Sequence, residues 1–87
     1  MHKRTDANHK SLIHELKAIG ASVTDTSMVG RGFPDFVVGY RGINYLAEVK
    51  VRGGKLIESQ IDFRDQWTGN KPFVITCLED FLENVNG

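Results

Sequence analysis

The strongest constraint in this chain is a pair of strand-forming runs with carboxylates at matched positions. Phe36-Val37-Val38-Gly39-Tyr40 is rich in β-branched and aromatic residues, and so is the run from Tyr45 to Val51. Arg41-Gly42-Ile43-Asn44 supplies a turn between them, so the two runs read as a hairpin. Side chains alternate between strand faces, which puts Leu46, Glu48 and Lys50 on one face and Tyr45, Ala47, Val49 and Val51 on the other. If Tyr40 faces Tyr45 across the turn, Asp35 lies opposite Lys50 and Val37 opposite Glu48. Opposed residues point the same way, so Asp35, Glu48 and Lys50 converge. Directly opposed Cβ atoms sit about 4.5–5.5 Å apart and diagonal ones about 7–8 Å, close enough for two carboxylates to share a cation. A slip of one residue would send Asp35 to the other face, so the convergence of the three side chains depends on the hairpin parity.

Around the hairpin the chain reads as short alternating elements. Leu12, Ile13, Leu16 and Ile19 recur at helical spacing, predicting an amphipathic helix over 7–19, capped by Asp6 or Asn8 and stopped by Gly20. A short strand over 21–25 follows, then the glycine-flanked Gly30-Arg31-Gly32. Beyond Gly53-Gly54, a second helix over 57–67 is expected, with Ile57, Ile61 and Arg64 along one face and Gln60 and Trp67 beside them. Phe73 to Cys77 reads as a buried strand, and Glu79 to Val85 as a short closing helix. The order α-β-β-β-α-β-α describes an α/β mixed sheet with helices packed against it, in a single domain over 1–87.

Charge is distributed unevenly. Eleven Lys and Arg balance eleven Asp and Glu, so the net charge is zero, which argues against a purely electrostatic nucleic-acid binder. Residues 1–55 nevertheless carry nine basic and five acidic side chains, and residues 56–87 carry two and six. The halves are therefore +4 and −4. Apolar runs stay far below the roughly 20 residues of a membrane span, so no membrane partner is expected. Nor does an apolar stretch follow Met1-His2-Lys3-Arg4, as a signal peptide would require. A single cysteine, Cys77, forbids an internal disulfide and fits a reducing, cytoplasmic setting.

Two acids and a lysine on a sheet face also describe a surface salt-bridge ladder. Three details favour a site. Val37 and Leu46 share that face, so it is not simply the solvent side of a polar strand. Asp35 follows a proline and a glycine-bracketed loop, which fixes how the chain enters the strand. Gln60, on the next helix, falls close behind the lysine strand. Hard oxygen ligands from Asp35 and Glu48 favour Mg²⁺ or Mn²⁺, with the backbone carbonyl of Val49 as a further ligand. Such an ion can activate water for phosphodiester hydrolysis, and Lys50 would orient the nucleophile or offset developing charge.

These residues resemble a known family. Pro34-Asp35 followed by Glu48-Val49-Lys50 matches the P-D…(D/E)-x-K signature of restriction-endonuclease-like nucleases. The Gly-x-Pro-Asp form at residues 32–35, the spacing to Gln60 and the compact size are similar to the virus-type replication-repair nuclease (VRR-NUC) domain in its stand-alone phage form. The likeness covers nearly the whole chain and implies a restriction-endonuclease-like αβββαβ core with a short C-terminal helix. It also implies a divalent-metal-dependent DNA endonuclease, with Asp35 and Glu48 as metal ligands and Lys50 catalytic. Gln60 matches the family's glutamine. Glu15, at the edge of the first helix's apolar stripe, matches a first-helix acid that often points to the metal, and equally fits a rim glutamate. Stand-alone members resemble Holliday-junction resolvases, so the resemblance implies four-way junctions as substrate and a homodimer with two active sites. A nickase or restriction-type nuclease on the same fold, and a non-catalytic DNA-binding module, are the alternatives.

Phosphate contacts are expected first from Arg31 and Arg52, near the edges of the site, then from Lys55 and Arg41. His2, His9 and His14 are set aside as metal ligands, because positions 9 and 14 do not share a helix face at the i, i+4 spacing such sites use. Cys77 reads as a small buried hydrophobe, and Phe63 with Trp67 as core or interface.

Overall fold

The computed structural model describes residues 4–86, with side chains from residue 8 onward. The side chains of His2, Lys3, Arg4 and Asp6 lie outside the described set. The elements are α1 (Arg4–Ala18), β1 (Ser22–Asp25), β2 (Phe36–Tyr40), β3 (Ile43–Val49), α2 (Glu58–Gln66), β4 (Phe73–Ile75) and α3 (Leu78–Asn86). Because α1 begins at Arg4, Asn8 sits inside the helix and does not cap it. The strands form one mixed sheet in the order β1-β2-β3-β4. The first two pairings are antiparallel and β3 runs parallel to β4, which the crossover through α2 makes possible. No described helix is long and apolar enough to cross a membrane.

One face of the sheet carries the core. Phe36, Val38 and Tyr40 alternate with outward residues along β2, and Ala47, Val49 and Ile75 continue that face across β3 and β4. Leu12 and Leu16 of α1 and Phe81 of α3 cover it, with Val23, Tyr45 and Phe73 packed around them. Phe81 meets Tyr40, Tyr45 and Phe73 at ring-centroid distances of 5.7, 5.8 and 6.0 Å. Burying each such side chain contributes roughly 1.5–3 kcal/mol, which is how so short a chain holds together.

The hairpin differs from expectation in one respect that bears on the site. Its loop is two residues long, Arg41-Gly42, so Tyr40 pairs with Ile43 and Val37 with Leu46. Both loop residues have positive φ (54° and 83°), as a type I′ turn requires, and such a turn matches the natural twist of the strands. The register is thus displaced by two residues from a Tyr40–Tyr45 pairing. Asp35 comes level with Glu48 rather than Lys50, and Glu48 no longer faces Val37. Two residues are a full side-chain repeat, so the parity that brings Asp35 and Glu48 together survives.

The second helix also turns differently. Ile57 and Ile61 are exposed, whereas Gln60, Phe63 and Arg64 face the protein. Phe63 is half-buried, stacked on Trp67 at 5.0 Å and edge-on to Phe33 at 5.3 Å. Trp67 is not a core residue. β4 ends at Ile75, two residues before the expected strand end, because the Asp80 carboxylate takes up the next amide: Thr76 N and Oγ1 donate to Asp80 Oδ2 at 2.8 and 2.7 Å. Cys77 therefore stands half-buried at the entrance to α3, outside the strand.

Candidate active site

The site forms where β2 and β3 part. Pro34 has no N–H to donate, and the β2–β3 ladder stops at Phe36 and Ala47. Beyond that point β3 keeps pairing with β4, through Glu48 with Val74, Val49 with Ile75, and Lys50 N donating to the Ile75 carbonyl at 3.0 Å. Asp35 bridges the opening with its side chain, since Val49 N donates to Asp35 Oδ2 at 2.9 Å. The Asp35 carbonyl accepts from Thr26 N at 2.7 Å, so its backbone is held from the other side. One prong of the fork thus carries Asp35, and the other carries Glu48 and Lys50.

Glu48 is only 4% exposed. Gln60 Nε2 donates to Glu48 Oε2 at 2.7 Å, and Gln60 Oε1 accepts from Ile57 N at 2.9 Å. A backbone N–H can only donate, so the second bond fixes which end of the amide faces the glutamate. What places Gln60 is Gly32. A Cβ there would collide with the Ser59 carbonyl oxygen, so only glycine lets the loop before β2 lie against the first turn of α2. The Gly-x-Pro-Asp run therefore does two jobs: it packs α2 and it starts the fork.

Burial, reinforced by the negative charge of Asp35 and only partly opposed by Lys50, pushes the Glu48 carboxyl up to about 8. Two carboxylates held this closely call for a compensating positive charge. A hard divalent cation is the fitting group: it would remove the repulsion and meet oxygen donors. The Val49 N–H points to Asp35, and a strand residue's C=O lies on the same edge as its N–H, so the Val49 carbonyl faces the fork as well. Among the described residues, no three His, Cys, Asp or Glu side chains form a metal-holding group. The side-chain donors are thus two carboxylates, in keeping with Mg²⁺, which retains several of its waters.

A cleft of about 350 Å³ opens over this fork, walled by Asp35, Glu48, Val49, Lys50 and Gln60, with His9 on one side and Ser27 and Met28 on its rim. His9 is absent from the residues the sequence singled out. It is buried, its ring lies edge-on to Phe36 at 5.3 Å, and Nε2 stands 3.8 Å from Asp35 Oδ2. The signal was present: His9, Leu12 and Leu16 fall at i, i+3 and i+7, on the buried stripe of α1.

Glu15 is exposed and does not line the cleft. Arg31 is exposed on the loop before β2, and Arg52 and Lys55 are exposed between β3 and α2. Arg41 is not near the fork: it sits at the hairpin tip, its guanidinium 5.1 Å from the Tyr40 ring centroid. That tip is the opposite end of β2 from Asp35, about 20 Å away at strand rise.

No protein-family model matches the chain, and no curated protein is significantly similar to it. A solved structure described as a VRR_NUC domain shares its fold, with a TM-score of 0.72, 24% identity, and coverage of 93% of this chain and 92% of that one. Three helices around a four-stranded mixed sheet thus make an α/β fold of the VRR-NUC type.

Proposed function

We propose that this chain is a divalent-metal-dependent endodeoxyribonuclease that hydrolyses phosphodiester bonds, selects branched DNA such as four-way junctions, and works as a homodimer. The observation that carries the reading is the fork itself: Asp35 and Glu48 meet where two strands part, with Lys50 and Gln60 on the same cleft wall. Catalytic constellations need such preorganisation, and a surface ion-pair ladder does not.

Asp35, Glu48 and the Val49 carbonyl would hold the cation. When bound, Mg²⁺ or Mn²⁺ supplies Lewis acidity toward the phosphate and acidifies bound water. Gln60 keeps one Glu48 oxygen engaged and so leaves the other directed at the fork. Asp35 Oδ2 is likewise held by Val49 N, which leaves Oδ1 for the cation. Lys50 Nζ provides positive charge beside the reacting phosphate, where charge builds in the transition state. Arg31, Arg52 and Lys55, all exposed on the loops that lead into β2 and out of β3, would contact flanking phosphates and make binding salt-dependent. Paired incisions across a junction need two active sites, which one copy of this chain does not have.

The test is cleavage of end-labelled four-way junctions, flaps and linear duplex in Mg²⁺, Mn²⁺ or EDTA. Metal-dependent cutting with a preference for branched substrates is expected. Equal cutting of linear duplex would remove the junction selectivity and leave a nuclease. Binding without cleavage under every condition would instead leave a DNA-binding module.

A further inference from the structure

Six hydrogen bonds give the loop between β1 and β2 one shape, yet its tip leaves two apolar side chains in water. Thr26 N donates to the Asp35 carbonyl and Thr26 Oγ1 to the Pro34 carbonyl, both at 2.7 Å, which ties the two ends together. Ser27 N and Oγ donate to Asp25 Oδ1 at 2.9 and 2.6 Å. Val29 N closes one turn onto the Thr26 carbonyl at 3.0 Å, and Phe33 N closes a second onto the Gly30 carbonyl at 3.1 Å. The second turn holds Arg31 at φ 59°, a left-handed conformation that side chains other than glycine adopt at a cost. At the tip, in the second half of the first turn, Met28 is 94% exposed and Val29 60% exposed.

A framework this ordered does not leave the tip apolar by default, since a polar residue would fit there equally well. Position identifies the occupant. Met28 is part of the rim of the cleft that holds Asp35 and Glu48, so a phosphate seated over the carboxylates brings its neighbouring bases against the tip. Met and other apolar side chains act in just this way when they enter DNA between base pairs and unstack them. In continuous duplex that insertion works against base stacking. At a nick, a mismatch or a branch point the stack is already open.

We propose that Met28-Val29 is a wedge that enters DNA at an already unstacked base step, and that this wedge is what makes the cleft favour branched or interrupted DNA over continuous duplex. The inference rests on the nuclease reading above and names the part that reads substrate structure. Arg31, on the adjoining turn, would hold the phosphates beside the opened step.

The experiment uses the full chain carrying Glu48→Gln, so that DNA is held without being cut. Affinities are measured by fluorescence anisotropy for a linear duplex, the same duplex with a central nick, and a four-way junction. A 2-aminopurine beside the nick reports unstacking. The parent should favour nicked and branched DNA by about tenfold or more and brighten the 2-aminopurine, whereas added Met28→Ser and Val29→Ser changes should reduce that preference to about threefold or less and leave the probe dark. Both side chains are exposed, so the thermal midpoint should not move. A preference and a probe signal that persist in the double variant overturn the wedge. An unchanged preference together with loss of a dimer in sedimentation assigns the tip to a second copy and overturns it too. Failure of the parent to bind any DNA also overturns it, and cleavage by wild type in Mg²⁺ or Mn²⁺ then decides separately whether the nuclease reading stands.

Discussion

Glu48 concentrates the energetics of the site. Folding places its carboxyl where ionisation is disfavoured, moving it up to about 8 from an ordinary 4.5. A group raised in this way stabilises the fold fully below its unfolded value, and that contribution is lost as pH rises through the folded value. In EDTA, the melting temperature of the wild type should therefore fall between about pH 5 and about pH 8.5, and that of Glu48→Gln should fall much less. Adding Mg²⁺ or Mn²⁺ at the upper end should restore the wild type and leave the variant unmoved. Scanning calorimetry at several pH values checks both statements, and a flat wild-type profile would refute them.

His9 and Gln60 flank the carboxylates from opposite sides. Gln60→Ala removes a hydrogen bond to each of Glu48 and Ile57, so it should cost about 1–3 kcal/mol of stability as well as activity. Gln60 was legible in the sequence because its helix follows the lysine strand directly. His9 was not, because a histidine on an apolar stripe with Leu12 and Leu16 reads as a core residue, and only the fold brings Asp35 beside it. His9→Ala should weaken divalent-cation affinity measured by titration calorimetry, since Asp35 would lose the ring that borders its Oδ2.

At the scale of elements, the two loops with Arg-Gly pairs fix the geometry. One closes the hairpin with Arg41-Gly42, and the other brings Gly32 against α2. Gly32 and Gly30 make a controlled comparison. Both have positive φ, but a Cβ at Gly30 meets nothing within 4 Å, whereas at Gly32 it strikes the Ser59 carbonyl. Gly30→Ala should cost about 1–2 kcal/mol from backbone strain alone. Gly32→Ala should cost more, about 3 kcal/mol or above, and should lower activity as well by displacing Gln60. Urea denaturation of the two variants measures the difference.

The element order, the limits of β2 and the shared parity of Asp35 and Glu48 were all readable from residue patterns, because strand alternation is a strict period. Register was not, because Arg41-Gly42-Ile43-Asn44 accommodates either a two-residue or a four-residue loop, and only positive φ at Arg41 selects the shorter. The inward face of α2 was also missed. Ile57 at its N-cap and Ile61 point to solvent, while Gln60 and Arg64 share the inward face with Phe63, so the helix does not divide cleanly into an apolar and a polar side. Hydrophobic periodicity does not orient a helix whose inward face mixes apolar and polar residues.

At the scale of the whole molecule, a net charge of zero conceals two unlike halves. The +4 segment contains the hairpin and the carboxylate pair, which a bound divalent cation would offset, and the −4 segment contains α2, β4 and α3. DNA affinity should fall steeply with salt, and Arg52→Ala should reduce the slope of log K against log[salt] by about 1. Ile57 and Ile61, at the N-cap and within α2, are exposed apolar side chains that a second copy would cover under the proposed homodimer, so sedimentation at micromolar concentration should show a dimer.

Whether the fork cuts DNA is decided by comparing wild type and Glu48→Gln on a labelled four-way junction under single-turnover conditions, with Mg²⁺, Mn²⁺ or EDTA. Wild type should cleave in either metal and not in EDTA, and the variant should lose at least about a hundredfold with its fold intact. Equal rates for the two proteins, or cleavage that persists in EDTA, would contradict the nuclease reading.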